Sequence, residues 1–229
     1  MKSAWMCPSR GRPENVERLI RAWVETGATS DLYVRVDDDD SKMKDYLKII
    51  SKFPFELYSF KFEILHGTRI RIGPVLNSLG PELAEIYSSV GFLGDDHVPR
   101  TSGWDSSLAF AVSGGGIAYG NDLLQGEALP TAVLMSSDII RATDQFCPSH
   151  QLQLYLDNYW LDLGKELGRI VYLPEVIIEH MHPGIGKASS DAVYGEVNSL
   201  DAVDKEAYEL YKKIKFYEDV EKVNALWQK

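Results

Sequence analysis

In the N-terminal part of the chain, segments with the hydrophobic spacing of a β-strand alternate with segments that have the spacing of an α-helix. Short apolar runs at residues 4–7, 32–36 and 90–93 predict buried strands, and the alternation at 32–36 is typical of a strand with one buried face. Apolar residues at helical spacing lie between these runs and predict amphipathic helices. The first helix begins at Pro13 and ends at Gly27, and its predicted buried face consists of Val16, Leu19, Ile20, Trp23 and Val24.

The same alternation continues through two further repeats. Ser41 is placed to cap a helix whose predicted buried residues are Met43, Tyr46, Leu47 and Ile50. Residues 55–65 alternate and predict a strand, and the helix that begins at Pro74 is expected to bend at Pro81 and continue to Tyr87. Repeats of strand and helix predict an α/β fold with a doubly wound, mostly parallel sheet.

The second half of the chain is less regular. Its predicted strands are residues 117–119, 132–135, 170–173 and 176–178, and its predicted helices are 108–112, 138–142, 151–167 and 202–227. An acidic, glycine-containing loop spans 121–130, and the small residues of 184–198 predict a mobile loop. The long C-terminal helix is expected to pack on the same domain or to form an oligomer surface, with a buried stripe of Tyr208, Tyr211, Phe216 and Tyr217.

Composition and charge restrict the class of protein. The 229 residues are 45% hydrophobic and 25% charged, as in an ordinary globular protein. No apolar run approaches the roughly 20 residues of a membrane span, and the N-terminus has no signal-peptide pattern. The two cysteines, Cys7 and Cys147, have no metal-type spacing, so a cytoplasmic protein without disulfides is expected. The net charge of −10 argues against nonspecific nucleic-acid binding.

Polar loops follow the predicted strands, at residues 9–12, 37–40, 69–73 and 95–97. Ligands of α/β sheets bind beyond the carboxyl ends of the strands. Arg10 and Arg12, next to a helix N-terminus, favour an anion such as phosphate, although a solvated turn is the alternative. Asp37 or Asp38 is expected to contact the ligand, while the remaining acids of the run 37–40 face solvent.

Asp95, Asp96 and His97 follow the strand at 90–93. Two carboxylates and an imidazole are costly to bury unless a cation compensates them. A divalent cation with oxygen ligands and one nitrogen ligand would do so. The alternative is a polar loop in which an aspartate caps a helix.

These residues, in this order, resemble the motifs of GT-A-fold glycosyltransferases, which use nucleotide-sugar donors. The resemblance covers roughly residues 3–183 and is closest to compact, family-2-like members from bacteria and phages. The loop 8–13 resembles the first donor-binding loop, Gly94–His97 the Asp-X-Asp motif, and 101–105 the segment after it. Residues 155–160 resemble the acidic catalytic motif, and 179–182 the late histidine of the metal site. The chain departs from the pattern in having Asp-Asp-His for Asp-X-Asp and Leu156–Asp157 for Glu-Asp.

The resemblance implies a Rossmann-like GT-A fold and a role for each matching residue. The implied nucleotide-sugar contacts are Pro8, Ser9, Arg10, Arg12, Asp37, Asp38, Arg71, Asp95 and Trp104. The implied metal ligands are Asp96, His182 and His97, with His180 as the competitor of His182. The cation would be Mn²⁺ or Mg²⁺, and a histidine ligand favours Mn²⁺. Asp157 would be the catalytic base, with Asp162 in reserve, and a single base implies inversion. Trp104 and Trp160 are expected in the core, with stacking on a sugar as the alternative.

The implied activity is transfer of a hexosyl or pentosyl group from a UDP-sugar or another nucleotide-sugar to an acceptor hydroxyl. The acceptor would be a glycan, a small molecule or a hydroxylated base in phage DNA. The implied domain is 1–183, with a nucleotide-sugar-binding half, 1–100, and an acceptor half, 101–183, and residues 184–229 pack on it. One alternative is a nucleotidyltransferase, although the lysine expected after its first strand is missing here. The other is a non-catalytic nucleotide-sugar-binding module.

Overall fold

The computed structural model describes residues 2–182 and 200–228. The predicted mobile loop 184–198 lies outside these residues. The strands are β1 Ser3–Ser9, β2 Asp31–Asp37, β3 Phe62–Gly67, β4 Ser89–Phe92, β5 His97–Pro99, β6 Ile117–Asn121, β7 Val133–Ser136 and β8 Ile170–His180. The α-helices are α1 Pro13–Glu25, α2 Met43–Ile50, α3 Ile72–Ala84, α4 Trp104–Ala111, α5 Ser137–Thr143, α6 Leu156–Glu166, α7 Asp201–Ile214 and α8 Phe216–Trp227.

The described strands form one mixed sheet in the order β3-β2-β1-β4-β7-β6-β8-β5. Strands β3, β2, β1 and β4 are parallel to one another, β7 runs antiparallel to β4 and β6, and β6 and β8 are parallel. The predicted α/β class and mostly parallel sheet are confirmed. Because β1 lies between β2 and β4, the carboxyl ends of all three strands meet at one edge of the sheet, as do the loops that follow them.

Helices cover both faces of the sheet, and this changes one expectation for β2. Leu32, Val34 and Val36 belong to one hydrophobic cluster, whereas Tyr33 belongs to the cluster on the opposite face. The prediction of a single buried face was therefore wrong, because a parallel sheet is packed on both sides.

Two predicted helix faces need correction. In α1 the buried residues include Ala22, and Val24 is exposed. In α2 the buried residues are Tyr46 and Ile49, and the predicted Leu47 and Ile50 are exposed. Ser41 does not cap α2, since the backbone N–H of Lys42 donates to the carboxylate of Asp40 at 2.8 Å.

Three predicted boundaries also differ. The strand expected at 55–65 begins only at Phe62, after a 3₁₀ turn at Phe55–Leu57. The two short strands at 170–173 and 176–178 form one strand, β8, with a register shift opposite Gly120 and Asn121. The helix after Pro74 starts earlier, at Ile72, contains Pro81, and ends at Ala84.

The predicted helix 151–167 begins only at Leu156, because a buried aspartate holds the residues before it in another conformation. The carboxylate of Asp204 accepts backbone N–H groups from Leu152, Gln153 and Leu154 at 3.1, 2.9 and 2.7 Å. Asp204 lies on α7, so this contact also joins the C-terminal helices to the rest of the chain.

The C-terminal helix is broken at Lys215, which separates α7 from α8. Tyr208, Tyr211 and Phe216 are buried as predicted, whereas Tyr217 is 60% exposed. Within residues 2–182 and 200–228, no helix is long and apolar enough to cross a membrane.

Candidate functional site

A cavity of about 370 Å³ lies at the edge of the sheet where the carboxyl ends of β1, β2 and β4 meet. All four loops that were predicted to follow the strands contribute side chains to its wall. The segment 153–157, before and within the start of α6, and the end of β8 complete the wall. The cavity therefore combines residues from both halves of the sequence.

Buried polar side chains fix the conformation of the loop after β1 through hydrogen bonds. The Ser9 hydroxyl donates to Asp95 at 2.6 Å and contacts the Tyr46 hydroxyl at 2.8 Å. Gly11, with a positive φ of 71°, donates its N–H to Asp40 at 2.7 Å. Asp40 is thus buried, contrary to the expectation that it would face solvent.

The arginines of this loop are paired with carboxylates, of which Asp37 and Asp95 line the cavity. Arg10 bonds Asp37 at 2.9 Å and Asp39 at 2.5 Å, and Arg12 lies 3.4 Å from Asp95. These bonds orient both guanidinium groups before any ligand is bound. Arg69 and Arg71, from the loop after β3, also line the cavity.

The structure separates the two aspartates that were alternatives for a ligand contact. Asp37 is buried and lines the cavity. Asp38 does not line it: its side chain is 54% exposed and contacts His66 at 2.7 Å. The predicted contact of Asp38 with a donor was therefore wrong, because Asp38 follows the end of β2 and its side chain contacts His66 outside the cavity.

Asp95 and Asp96 lie in different surroundings although they are neighbours. Burial, and then the charge of Asp96, raise the pKa of Asp95. Burial alone would raise the pKa of Asp96 as well, but the neighbouring imidazole of His180 holds this pKa well below its usual range. The oxygens of Asp96 lie 3.3 Å from His97 Nδ1 and 3.4 Å from His180 Nε2.

Strand pairing brings the two histidines together. β5 runs antiparallel to β8, so that His97 lies opposite His180, and their rings stack with centroids 4.2 Å apart. Asp96, His97 and His180 each offer a ligand atom within 4.8 Å of the others. One carboxylate and imidazole nitrogens suit Mn²⁺, so the donor set fits the predicted cation. Without a cation, Asp122 and Asp96 raise the pKa of His180 to about 9, against the opposite effect of burial.

His182 lines the cavity but lies outside this compact group. Its ring is 5.1 Å from that of His180, two residues beyond the end of β8. The geometry favours His180, the residue that the sequence ranked second, as the late histidine next to Asp96.

The two candidate bases are on different faces of α6. Asp157, in the first turn, lines the cavity, and burial raises the pKa of its carboxyl. Asp162 accepts hydrogen bonds from Tyr208 at 2.6 Å and Lys212 at 2.7 Å and does not line the cavity. Asp162 as a reserve base was therefore wrong, because its side chain faces α7.

The two tryptophans also differ. Trp104 is fully buried with its centroid 4.8 Å from that of Trp5 and 4.9 Å from that of Trp23, and it does not line the cavity. The contact with the donor that the resemblance implied for Trp104 was wrong, and its expected position in the core is confirmed. Trp160 lines the cavity wall although it is almost completely buried.

Three solved structures have the same architecture. The mannosyltransferase PcManGT from Pyrobaculum calidifontis, in complex with GDP-Man and Mn²⁺, matches 98% of this chain and 73% of its own, with a TM-score of 0.61 and 9% identity. Glucosyl-3-phosphoglycerate synthase from Mycobacterium tuberculosis, with Mn²⁺, UDP and phosphoglyceric acid, matches 90% of this chain and 76% of its own, with a TM-score of 0.58 and 11% identity. S. aureus TarS 1–349 with UDP matches 78% of this chain, with a TM-score of 0.56 and 14% identity.

The chain has the GT-A fold. It spans 59% of the length of the TarS 1–349 chain. No protein-family model matches the sequence, and no curated protein matches it. The order of the motifs in the sequence and the architecture of the structure both indicate the GT-A fold. The sequence identity between this chain and the three solved structures is only 9–14%.

Two polar residues near the histidines of this GT-A fold were not predicted. Asp122 follows β6, and Thr131 lies between Asp122 and β7 in the chain. Thr131 lines the cavity, and its hydroxyl bonds Asp122 at 2.8 Å and contacts His97 at 3.3 Å. The sequence contained a signal for Asp122 only, since it lies in the acidic loop 121–130 that follows a predicted strand.

Proposed function

We propose that this chain is a metal-dependent glycosyltransferase that moves a sugar from a nucleotide-diphosphate sugar to an acceptor hydroxyl. One observation carries the proposal: a single cavity combines the group Asp96, His97 and His180, several arginines and the half-buried carboxylate of Asp157. The match to structures that hold Mn²⁺ with UDP or GDP-Man supports it.

The leaving diphosphate needs positive charge. Asp96 with His180, and His97 or His182 beside them, would hold Mn²⁺ or Mg²⁺, which would supply Lewis-acid stabilisation of the diphosphate. Arg10, Arg12 and Arg71 line the same cavity, so their guanidinium groups can bind phosphate oxygens. Pro8 and Ser9 line the same wall, and Asp37, which also lines the cavity, would accept a hydrogen bond from the nucleoside.

Asp157 is the group proposed to take the proton of the acceptor. As the acceptor oxygen bonds the anomeric carbon, its proton passes to the Asp157 carboxylate and the bond from that carbon to the diphosphate oxygen breaks. Burial raises the pKa of Asp157, which makes its carboxylate a stronger base than an exposed aspartate. A base without a separate nucleophile corresponds to inversion.

The acceptor, the transferred sugar and the cellular location stay predictions. A glycan, a small molecule and a hydroxylated base in phage DNA are the candidate acceptors, in a cytoplasmic protein. The domain limits 1–183 and 184–229 are likewise predictions. An oligomer would use the outer face of the C-terminal helices, where Val203, Leu210 and Ile214 are exposed.

A thermal-shift panel of nucleoside diphosphates and nucleotide-sugars, each with and without Mn²⁺, tests the proposal. A ligand present at 100 times its Kd stabilises the folded state by about 2.7 kcal/mol. We expect one nucleotide to raise the melting temperature only with Mn²⁺, and Asp96→Asn to abolish this shift.

The control is Asp45→Asn, which removes an exposed carboxylate on α2, away from the cavity, and should keep the shift. No shift with any nucleotide at millimolar ligand and metal would overturn the proposal. A metal-dependent shift without turnover in the wild type would indicate the non-catalytic binding module instead.

A further inference from the structure

The hydrogen bonds of Thr131 assign the proton on His97. Because a carboxylate accepts hydrogen bonds and does not donate them, the 2.8 Å contact requires the Thr131 hydroxyl to donate to Asp122 Oδ2. The same hydroxyl oxygen must then accept from His97 Nε2, 3.3 Å away. His97 therefore carries a hydrogen on Nε2.

The other nitrogen of His97 leads to the same assignment. The backbone N–H of Gly94 donates to His97 Nδ1 at 3.1 Å, so Nδ1 holds a lone pair and does not donate to the Asp96 oxygen that lies 3.3 Å from it. Both nitrogens of His97 are thus engaged by protein groups. This leaves His180 as the imidazole with more freedom to bind a cation next to Asp96.

Asp122 also faces His180. Among the residues that the structure describes, His180 Nδ1 is buried without a hydrogen-bond partner, and Asp122 Oδ2 is the carboxylate oxygen 3.9 Å from it. A hydrogen on Nδ1 is favoured by this negative charge. Whether the ring carries one hydrogen or two, Nε2 is then the atom that faces Asp96, at 3.4 Å.

The position of the Asp122 carboxylate is itself restrained. Its Oδ1 accepts the backbone N–H groups of Leu124, Gln125 and Gly126 at 2.9, 2.7 and 2.9 Å. Its backbone carbonyl accepts the N–H of His180 at 2.9 Å, which joins the 121–130 loop to the end of β8. Oδ1 therefore fixes the position of the carboxylate, and Oδ2 interacts with the Thr131 hydroxyl and with His180 Nδ1.

We propose that Asp122 and Thr131 are positioning residues that fix which nitrogen of His97 and of His180 carries a hydrogen, so that His180 Nε2 faces the cation site at Asp96. The effect on metal binding rests on the proposed function, whereas the hydrogen assignment does not. Groups that orient metal-binding histidines in this way typically change metal affinity by about 10- to 100-fold when they are removed.

Asp122→Asn tests the assignment at His180. The amide oxygen can keep the three backbone hydrogen bonds, but the NH₂ group then points at Thr131 and His180. An N–H donor next to Nδ1 favours a lone pair there and moves the hydrogen to Nε2. We expect the Kd for Mn²⁺, measured by electron paramagnetic resonance of free Mn²⁺, to rise about 10- to 100-fold.

Thr131→Val and Thr131→Ser form the matched pair for His97. Valine removes the hydroxyl at nearly constant shape and is expected to raise the Kd for Mn²⁺, whereas serine restores the hydroxyl and the wild-type Kd. Long-range ¹H–¹⁵N spectra of the metal-free protein, recorded over a pH series that includes the neutral rings, should show His97 with its hydrogen on Nε2 and His180 with its hydrogen on Nδ1.

The outcomes separate this inference from the proposed function. Spectra with the hydrogen of neutral His97 on Nδ1, or of neutral His180 on Nε2, overturn the inference whether or not Mn²⁺ binds. Equal Mn²⁺ affinity in the wild type, Asp122→Asn and Thr131→Val also overturns it and leaves the proposed function intact. A wild type that binds no Mn²⁺ but shows the expected spectra contradicts the proposed function and supports the hydrogen assignment.

Discussion

The two sides of the cavity are built in different ways. On the side of β1, β2 and β4, polar side chains lie at the end of a strand or in the loop that follows it, as Arg10, Asp37 and Asp96 do. On the other side, the contacts join residues that are far apart in sequence: His97 meets His180 through strand pairing, and Asp157 arrives on a helix. Parallel strands place their own loops at a shared edge, whereas antiparallel additions to the sheet determine which distant residues face those loops.

The largest expected effect concerns Asp157. If it is the base, Asp157→Asn should lower the rate of sugar transfer on the order of 10²- to 10⁴-fold with little change in donor affinity. Asp162→Asn, five residues along the same helix, should keep the rate within a few-fold, because Asp162 bonds Tyr208 and Lys212 on α7. Transfer rates measured with radiolabelled donor decide between them. Equal losses of transfer rate in the two variants would contradict the assignment of Asp157 as the base.

A large effect on stability, rather than on binding, is expected at Trp104. Trp104→Ala leaves a cavity between Trp5 and Trp23 and should lower the free energy of unfolding by about 3–5 kcal/mol. The Kd of the donor for the protein that remains folded should not change. Chemical denaturation measures the first quantity and calorimetric titration the second. A weaker donor affinity at unchanged stability would instead indicate that Trp104 contributes to donor binding.

A smaller effect should appear in the pH dependence of the same Asp157 carboxyl. Burial raises its pKa in the folded protein, so the ionised form destabilises the fold once the pH exceeds the ordinary aspartate value of about 3.9. Asp157→Asn should therefore melt above the wild type near neutral pH, and the difference should vanish as the pH falls below that value.

The pH dependence of the transfer rate should reflect the same raised pKa. Activity should be lost as the pH falls through the raised pKa of Asp157, at a higher pH than for an exposed aspartate. Melting temperatures and rates from about pH 3 to about pH 8 test both statements. A wild type that is more stable than Asp157→Asn at neutral pH would contradict the burial of an ionised carboxylate at this position.

The sequence alone determined the α/β class, the order of the strands in the chain and the loops at the carboxyl ends of the first four. These follow from local periodicity and from turn residues such as Gly11 and Pro13, which act over a few neighbouring residues. Positions after predicted strands identified Asp37 and Asp96 as candidates, and the resemblance of 155–160 to an acidic catalytic motif identified Asp157. All three line the cavity in the structure.

Only the tertiary structure decided which of several chemically equal residues face the cavity. Asp38 and Asp162 have the same side chain as Asp37 and Asp157, but the direction of a strand or helix turns them to His66 and to Tyr208. The Asp122, Thr131 and His97 contacts depend on the packing of β5 and β6 around β8, which no local pattern encodes. The distances between these residues are determined by pairing between strands that are far apart in the sequence. That pairing depends on many weak contacts along the chain and not on a local pattern.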